Sequence, residues 1–171
     1  MYSKVGVNAG PTAPTELRAR YLRVIWPRAT SHLAQEVPMQ SAFVLAEKPP
    51  LEVLAQLRDG LPAAMFEQVA STLGLSTSLL AEKLGIARRT VTRKQGSGTP
   101  LSPGTSEKLL RVARVRNLGR TLFTSDEAVS EWLSKSDASL GDMAPLDLLD
   151  TDLGAREVEN LLRALAYGHF V

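Results

Sequence analysis

The sequence contains no cysteine, which rules out a disulfide framework and a thiolate zinc site and suits a reducing interior. Histidine is almost as scarce. His32 and His169 stand near opposite ends, without metal-ligand spacing and without a nucleophile beside them, so no catalytic site assembles around either. The glycines are not arranged to cradle a phosphate, since Gly96-Ser97-Gly98 lacks the lysine and hydroxyl residue that follow in a P-loop. No apolar run approaches membrane-spanning length, and residues 1–15 lack the apolar stretch of a secretory signal. Nor is there a convincing run of alternating strand residues. Asp142, Asp147, Asp150 and Asp152 lie close together but without calcium-loop spacing or its closing glutamate, and read as caps and solvated acids. The expectation is an all-α cytoplasmic binding protein, not an enzyme, with no metal and no cofactor.

What is present begins with residues 76–95, which read as a helix, a tight turn at Gly85 and a second, cation-rich helix. Two helices that cross steeply need a small residue where they touch, a glycine at the turn and a branched apolar anchor on the second helix. Ala81, Gly85 and Val91 fill those places, and Leu80, Leu84 and Ile86 complete the inward set. The unit is a helix-turn-helix whose second member, over 87–95, would lie in a DNA major groove. With Val91 inward, Arg88, Arg89, Thr92 and Arg93 fall on the sides and outer face. Arginine pairs bidentately with guanine, and threonine supplies a hydrogen bond or a methyl contact. Lys94 suits phosphate. Of Ser76, Thr77 and Ser78, one caps the first helix and the others can reach phosphate. Such readers act as dimers on two-fold sites, so double-stranded operator DNA and a second copy of the chain are the expected partners.

Charge supports this reading. The net charge of +2 hides ten cations against Glu107 alone over 83–120, and ten acids against Lys135, Arg156 and Arg163 over 121–171. A basic middle suits the phosphate backbone, and an acidic last third suits a basic protein partner.

Elsewhere the pattern is helical. Residues 1–15 read as a loose arm, and 16–60 as a helical N-terminal segment suited to dimerisation. Within it 16–37 is broken at Pro27, with 24–26 alternatively extended, and Leu51, Leu54, Ala55 and Leu57 line one helical face after Pro49-Pro50. Pro62 suits the first turn of a helix with the stripe Met65, Phe66, Val69, Ala70, Leu73. Residues 95–100 read as a loop, and Ser102-Pro103 opens a helix burying Leu109, Leu110, Val112, Ala113 and Val115. Ser125 caps a helix with Ala128, Val129, Trp132 and Leu133 inside. A last helix over 155–167 carries Val158, Leu161, Leu162 and Leu165.

Several short motifs recur in a fixed order: Leu101-Ser102-Pro103 with 109–113, Leu122-Phe123, Ala128 with Trp132-Leu133, and Leu140-Gly141. Pro145 with 146–151, Gly154, Val158, Leu162 and Tyr167-Gly168 follow. By these motifs residues 61–171 resemble the Xre/MbcA/ParS antitoxins, partners of RES-domain toxins; Asp142-Met143 departs from the glycine-bearing loop usual there. The resemblance implies a helix-turn-helix DNA-binding domain over 61–120 and a small helical toxin-binding domain over 121–171. It implies neutralisation of an NAD⁺-degrading toxin together with repression of the operon encoding both proteins. Tyr167, Gly168, His169, Phe170 and Val171 are then the expected toxin contacts, a short stub whose aromatics and carboxylate could enter a dinucleotide pocket. Alternatively Tyr167 and Phe170 cap the domain's own core. A stand-alone transcription regulator or DNA-partitioning factor is the rival reading.

Overall fold

The computed structural model describes residues 41–167, and the expectations for 1–40 and 168–171 lie outside them. Among the described residues there are eight α-helices and no strand, which makes the fold all-α as the sequence implies. They are α1 Ala42–Leu45, α2 Pro50–Asp59, α3 Ala64–Thr72, α4 Thr77–Lys83, α5 Arg88–Ser97, α6 Pro103–Arg120, α7 Asp126–Ser134 and α8 Asp152–Tyr167. Two 3₁₀ turns, Ala138–Leu140 and Pro145–Leu148, lie between α7 and α8.

The architecture is organised on α6, which touches α1, α2, α3, α7 and α8. Its sequence explains this role. Ser102 accepts a hydrogen bond from the Thr105 amide at 3.3 Å, and Pro103 occupies the first turn, where its missing N–H costs nothing. Leu109, Leu110, Val112, Ala113 and Val115 are all buried as expected and point in several directions around the axis, so the helix is enclosed on most sides. Each fully buried leucine or valine contributes about 1.5–3 kcal/mol relative to exposure. The α3 stripe of Met65, Phe66, Val69, Ala70 and Leu73 is buried throughout. That helix begins at Ala64, so Pro62 precedes its first turn instead of occupying it.

The face read on α2 is corrected. Leu51 and Leu54 are 84% and 40% exposed, Ala55 is exposed, and Val53 is the buried residue. Val53 and Leu57 are separated by about 40° around the axis, so a short helix that turns this pair toward its neighbours must leave Leu51 on the opposite side. The helix stops at Gly60, whose φ of +89° favours glycine and whose added Cβ would lie 2.1 Å from the Leu101 carbonyl oxygen. That approach joins the loop after α2 to the entrance of α6. Leu101 N donates to Leu61 O at 2.8 Å, and Leu61 N donates to the Ser106 hydroxyl at 2.8 Å.

In the last third, Ser125 caps α7 through the Ala128 amide at 3.2 Å, and Ala128, Val129, Trp132 and Leu133 are buried. Phe123 and Trp132 pack with ring centroids 5.7 Å apart and planes tilted by 35°. Gly141 and Asp142 follow each other with φ of 67° and 61°, so Asp142, a residue other than glycine, holds a left-handed backbone angle in this loop. α8 starts three residues before the expected 155, because the Thr151 hydroxyl accepts from the Gly154 amide at 3.1 Å and caps the helix there. Val158, Leu162 and Leu165 are buried and Leu161 is half-buried.

Candidate functional site

The pair α4–α5 has the geometry that its sequence requires. Leu80, Ala81 and Leu84 are fully buried, Val91 is buried, and Gly85 turns the chain with φ of +60°. Ile86 N donates back to Ala81 O at 2.8 Å and Gly85 N to Glu82 O at 3.0 Å, closing the end of α4. From α6, the Lys108 ammonium donates to Leu84 O at 2.7 Å and fixes the turn from behind. Ser76 is the cap of α4, accepting from the Leu79 amide at 3.1 Å, while Thr77 is half-buried and Ser78 exposed.

On α5, Arg88, Arg89, Thr92 and Arg93 are exposed, Arg89 and Arg93 on the side opposite Val91 and Arg88 and Thr92 on its flank, and Lys94 is half-buried. The helix continues to Ser97, two residues beyond the expected end. Gly98, with φ of +64°, is its left-handed cap, so 95–97 are helical instead of loop. Two glycines so close together read as a loop, yet only Gly98 uses the freedom that glycine offers. Arg88 is ion-paired with Glu82 of α4, and Thr92 donates to Arg88 O at 3.3 Å. Arg89, Arg93 and Lys94 make no ion pair among the described residues, which leaves their charge directed outward.

The reading of the basic middle as a phosphate surface is corrected in part. Lys83 pairs with Asp147 at 2.5 Å, Arg114 with Glu159 at 3.3 Å, and Arg116 with Asp126 at 2.6 Å, joined by Arg120 at 3.5 Å. Arg111 is buried and donates to the carbonyls of Leu149 and Asp150 at 3.3 and 3.2 Å. The charge segregation is therefore largely answered within the chain, and the outward cations of the reader are those of α5. Asp126, Asp147 and Glu159 turn inward by the same pairing, so the acid count over 121–171 overstates what that third offers to a basic partner. The signal for buried arginines lay in α6: an apolar set that nearly encircles a helix leaves no solvent face for Arg111 and Arg116.

Among the described residues no cluster of three His, Asp or Glu side chains could hold a metal, and no helix is long and apolar enough to cross a membrane. Tyr167 ends α8 with 70% of its surface exposed, so it does not cap the core. Gly168, His169, Phe170 and Val171 lie outside the described residues.

Two family models match the chain in succession. Residues 52–114 match the antitoxin Xre-like helix-turn-helix domain, and residues 118–168 match the antitoxin Xre/MbcA/ParS C-terminal toxin-binding domain. The chain is 28% identical over 130 residues to a protein of Sphingobium sp. named Prs ADP-ribosylating antitoxin, spanning 71% of this chain and 82% of that one. It is 24% identical over 148 residues to the antitoxin Xre of Photorhabdus laumondii, spanning 86% and 98%. With the antitoxin Xre of Yersinia enterocolitica it shares 34% identity over 87 residues, spanning 50% and 59%. A DNA reader built on α4 and α5, followed by a toxin-binding domain carried on α7 and α8, places the chain in the Xre/MbcA/ParS-type antitoxin family, as the antitoxin of a toxin-antitoxin system.

Proposed function

We propose that this antitoxin neutralises a RES-domain toxin that degrades NAD⁺, and that it represses the operon encoding both proteins by binding operator DNA as a homodimer. In this reading residues 121–171 bind the toxin, and Gly168–Val171 enter its NAD⁺ site. The observation that carries it is the toxin-binding domain match over 118–168, near whose end α8 presents an exposed Tyr167. The same match favours an antitoxin over a stand-alone regulator or partitioning factor. ADP-ribosylation, which stands in the name of the Sphingobium relative, also draws on NAD⁺ when the ADP-ribose comes from the dinucleotide, so a pocket for its phosphates suits either chemistry. Phe170 supplies apolar area at low entropic cost for such a pocket.

The test is co-expression with the product of the adjacent reading frame, followed by pull-down and an NAD⁺ assay of that product alone and in complex. A stable complex with suppressed NAD⁺ loss is expected, and deletion of residues 168–171 is expected to restore NAD⁺ loss while operator binding persists. Retained suppression after the deletion would overturn the plug.

For the reader, Thr77 and Ser78 at the start of α4 reach phosphate beside the capping Ser76, Arg88, Arg89, Thr92 and Arg93 meet base edges or flanking phosphates, and Lys94 meets phosphate. Arg89, exposed and without the tether that Glu82 puts on Arg88, leads the base contacts. Arg89→Ala is expected to lose about 1–3 kcal/mol of operator affinity with relaxed sequence preference at one position. Equal weakening on operator and unrelated duplexes, read by fluorescence anisotropy, would assign it to phosphate instead.

A further inference from the structure

The outward face of α8 has a composition that its inward stripe does not predict. Taking 3.6 residues per turn, Leu153, Arg156, Asn160, Arg163 and Tyr167 fall within an arc of about 80° opposite Val158, Leu162 and Leu165. All five are exposed, Leu153 by 72% and Tyr167 by 70%. The two apolar members stand at opposite ends of the helix, about 21 Å apart at 1.5 Å per residue. Between them the guanidinium groups of Arg156 and Arg163 are held by acids four residues earlier, Asp152 at 2.9 Å and Glu159 at 2.8 Å.

A single exposed apolar residue is ordinary on a protein surface, but here a leucine and a tyrosine share one face with two arginines between them. Tyrosine and arginine are the residues that carry binding energy at protein interfaces, and a guanidinium already held on one edge loses less freedom when its other edge meets an acceptor.

From this arrangement we infer that the outward face of α8 is a docking surface for the toxin, with Leu153 and Tyr167 as apolar anchors and Arg156 and Arg163 meeting carboxylates or carbonyls between them. The inference rests on the toxin-binding reading above and names the surface that serves it. The toxin is the occupant because the matched toxin-binding domain includes the whole of α8, and because Tyr167 is continuous with Gly168, where the proposed blocking segment begins. A partner with two apolar cavities about two nanometres apart and acidic or carbonyl groups between them fits this face; a uniformly basic one does not.

The experiment titrates the full chain and its variants Leu153→Ala, Tyr167→Ala and Arg156→Glu against the purified product of the adjacent reading frame by calorimetry, with operator affinity and thermal melting as controls. Tyr167→Ala is expected to weaken binding at least about tenfold, and Leu153→Ala and Arg156→Glu about threefold to tenfold each, with operator affinity and melting unchanged because all three side chains are exposed. The chain lacking residues 168–171 is expected to bind still while failing to suppress NAD⁺ loss, which separates docking from blocking. A wild-type chain that binds while all three substitutions leave its affinity unchanged overturns the α8 face alone. Loss of self-association in place of toxin affinity also overturns it, by giving the face to a second copy. A wild-type chain that does not bind the product at all overturns the toxin reading itself.

Discussion

Asp126→Ala is expected to destabilise the protein by about 3–5 kcal/mol, the cost of leaving a buried cation without its partner. The carboxylate receives Arg116 at 2.6 Å and Arg120 at 3.5 Å, and Arg116 is almost fully enclosed. One face of the Arg116 guanidinium lies 4.5 Å from the centre of the Phe43 ring, and its second amino group donates to Asn117 at 3.1 Å. Without Asp126 that charge keeps a ring face and an amide oxygen, neither of which neutralises it. The loss also removes a carboxylate from the first turn of α7, where it favours the helix dipole by a further amount of about 0.3–1 kcal/mol. For a chain of this size the melting temperature should fall on the order of 10 °C. Replacing both partners, Arg116→Met with Asp126→Ala, should recover most of the loss, because no unpaired charge then remains buried. A double variant no more stable than Asp126→Ala alone would show that packing around the helix start, and not the ion pair, sets the cost.

The position of this pair has a functional consequence. Arg116 and Arg120 belong to α6 and Asp126 to α7, while Arg114 and Glu159 tie α6 to α8 and Lys83 and Asp147 tie α4 to the turn before α8. The helices of the DNA reader and those of the toxin-binding domain are therefore joined through charged groups as well as through the apolar faces of α6. Asn117 extends the network to α1, donating to the Phe43 carbonyl at 2.8 Å.

Local signals were legible where one residue type answers one backbone need. Ser102 and Ser125 cap the helices they were expected to cap, the cap expected among Ser76, Thr77 and Ser78 is Ser76, Gly85 turns the chain with a positive φ, and Ala81 and Val91 are buried where two helices touch. The all-α class followed from the absence of alternation together with repeated three- and four-residue apolar spacing. What escaped depended on tertiary partners. The face of α2 could not be chosen from sequence because Leu51, Leu54 and Val53 are all apolar, and packing admitted only the side that holds Val53. The charge runs were visible, but whether a cation meets a phosphate or a distant acid of the same chain is settled by the fold; Lys83 and Asp147, 64 residues apart, illustrate it. Among the candidate site residues, the outward set on α5 was readable from helical period once Val91 was placed. Leu153 was not, because Thr151 caps α8 earlier than its apolar stripe suggests.

Gly154→Ala should cost about 2–3 kcal/mol, where the same change in an unconstrained helix would gain up to about 1 kcal/mol. Gly154 lies in the first turn of α8, directly against the preceding 3₁₀ turn: an added Cβ would stand 2.2 Å from the Leu148 carbonyl oxygen and 3.0 Å from its carbonyl carbon. The obstacle is backbone, not a side chain able to rotate aside, so α8 or the Pro145–Leu148 turn must move. Leu146 and Leu149 of that segment are buried, and Arg111 donates to the Leu149 carbonyl, so displacement there disturbs the core as well as the turn. Gly96 supplies the internal control. It lies within α5 at an ordinary helical φ with nothing within 4 Å of an added Cβ, so Gly96→Ala should raise stability by up to about 1 kcal/mol. Urea unfolding of both variants reads the contrast. Opposite signs identify the Leu148 contact as the reason for glycine at 154, whereas a Gly154→Ala variant as stable as Gly96→Ala would mean that the start of α8 relaxes without loss. The functional counterpart follows from the same geometry. Moving the first turn of α8 shifts Leu153 relative to Tyr167, so toxin affinity should fall with Gly154→Ala while operator affinity, carried on α4 and α5, holds.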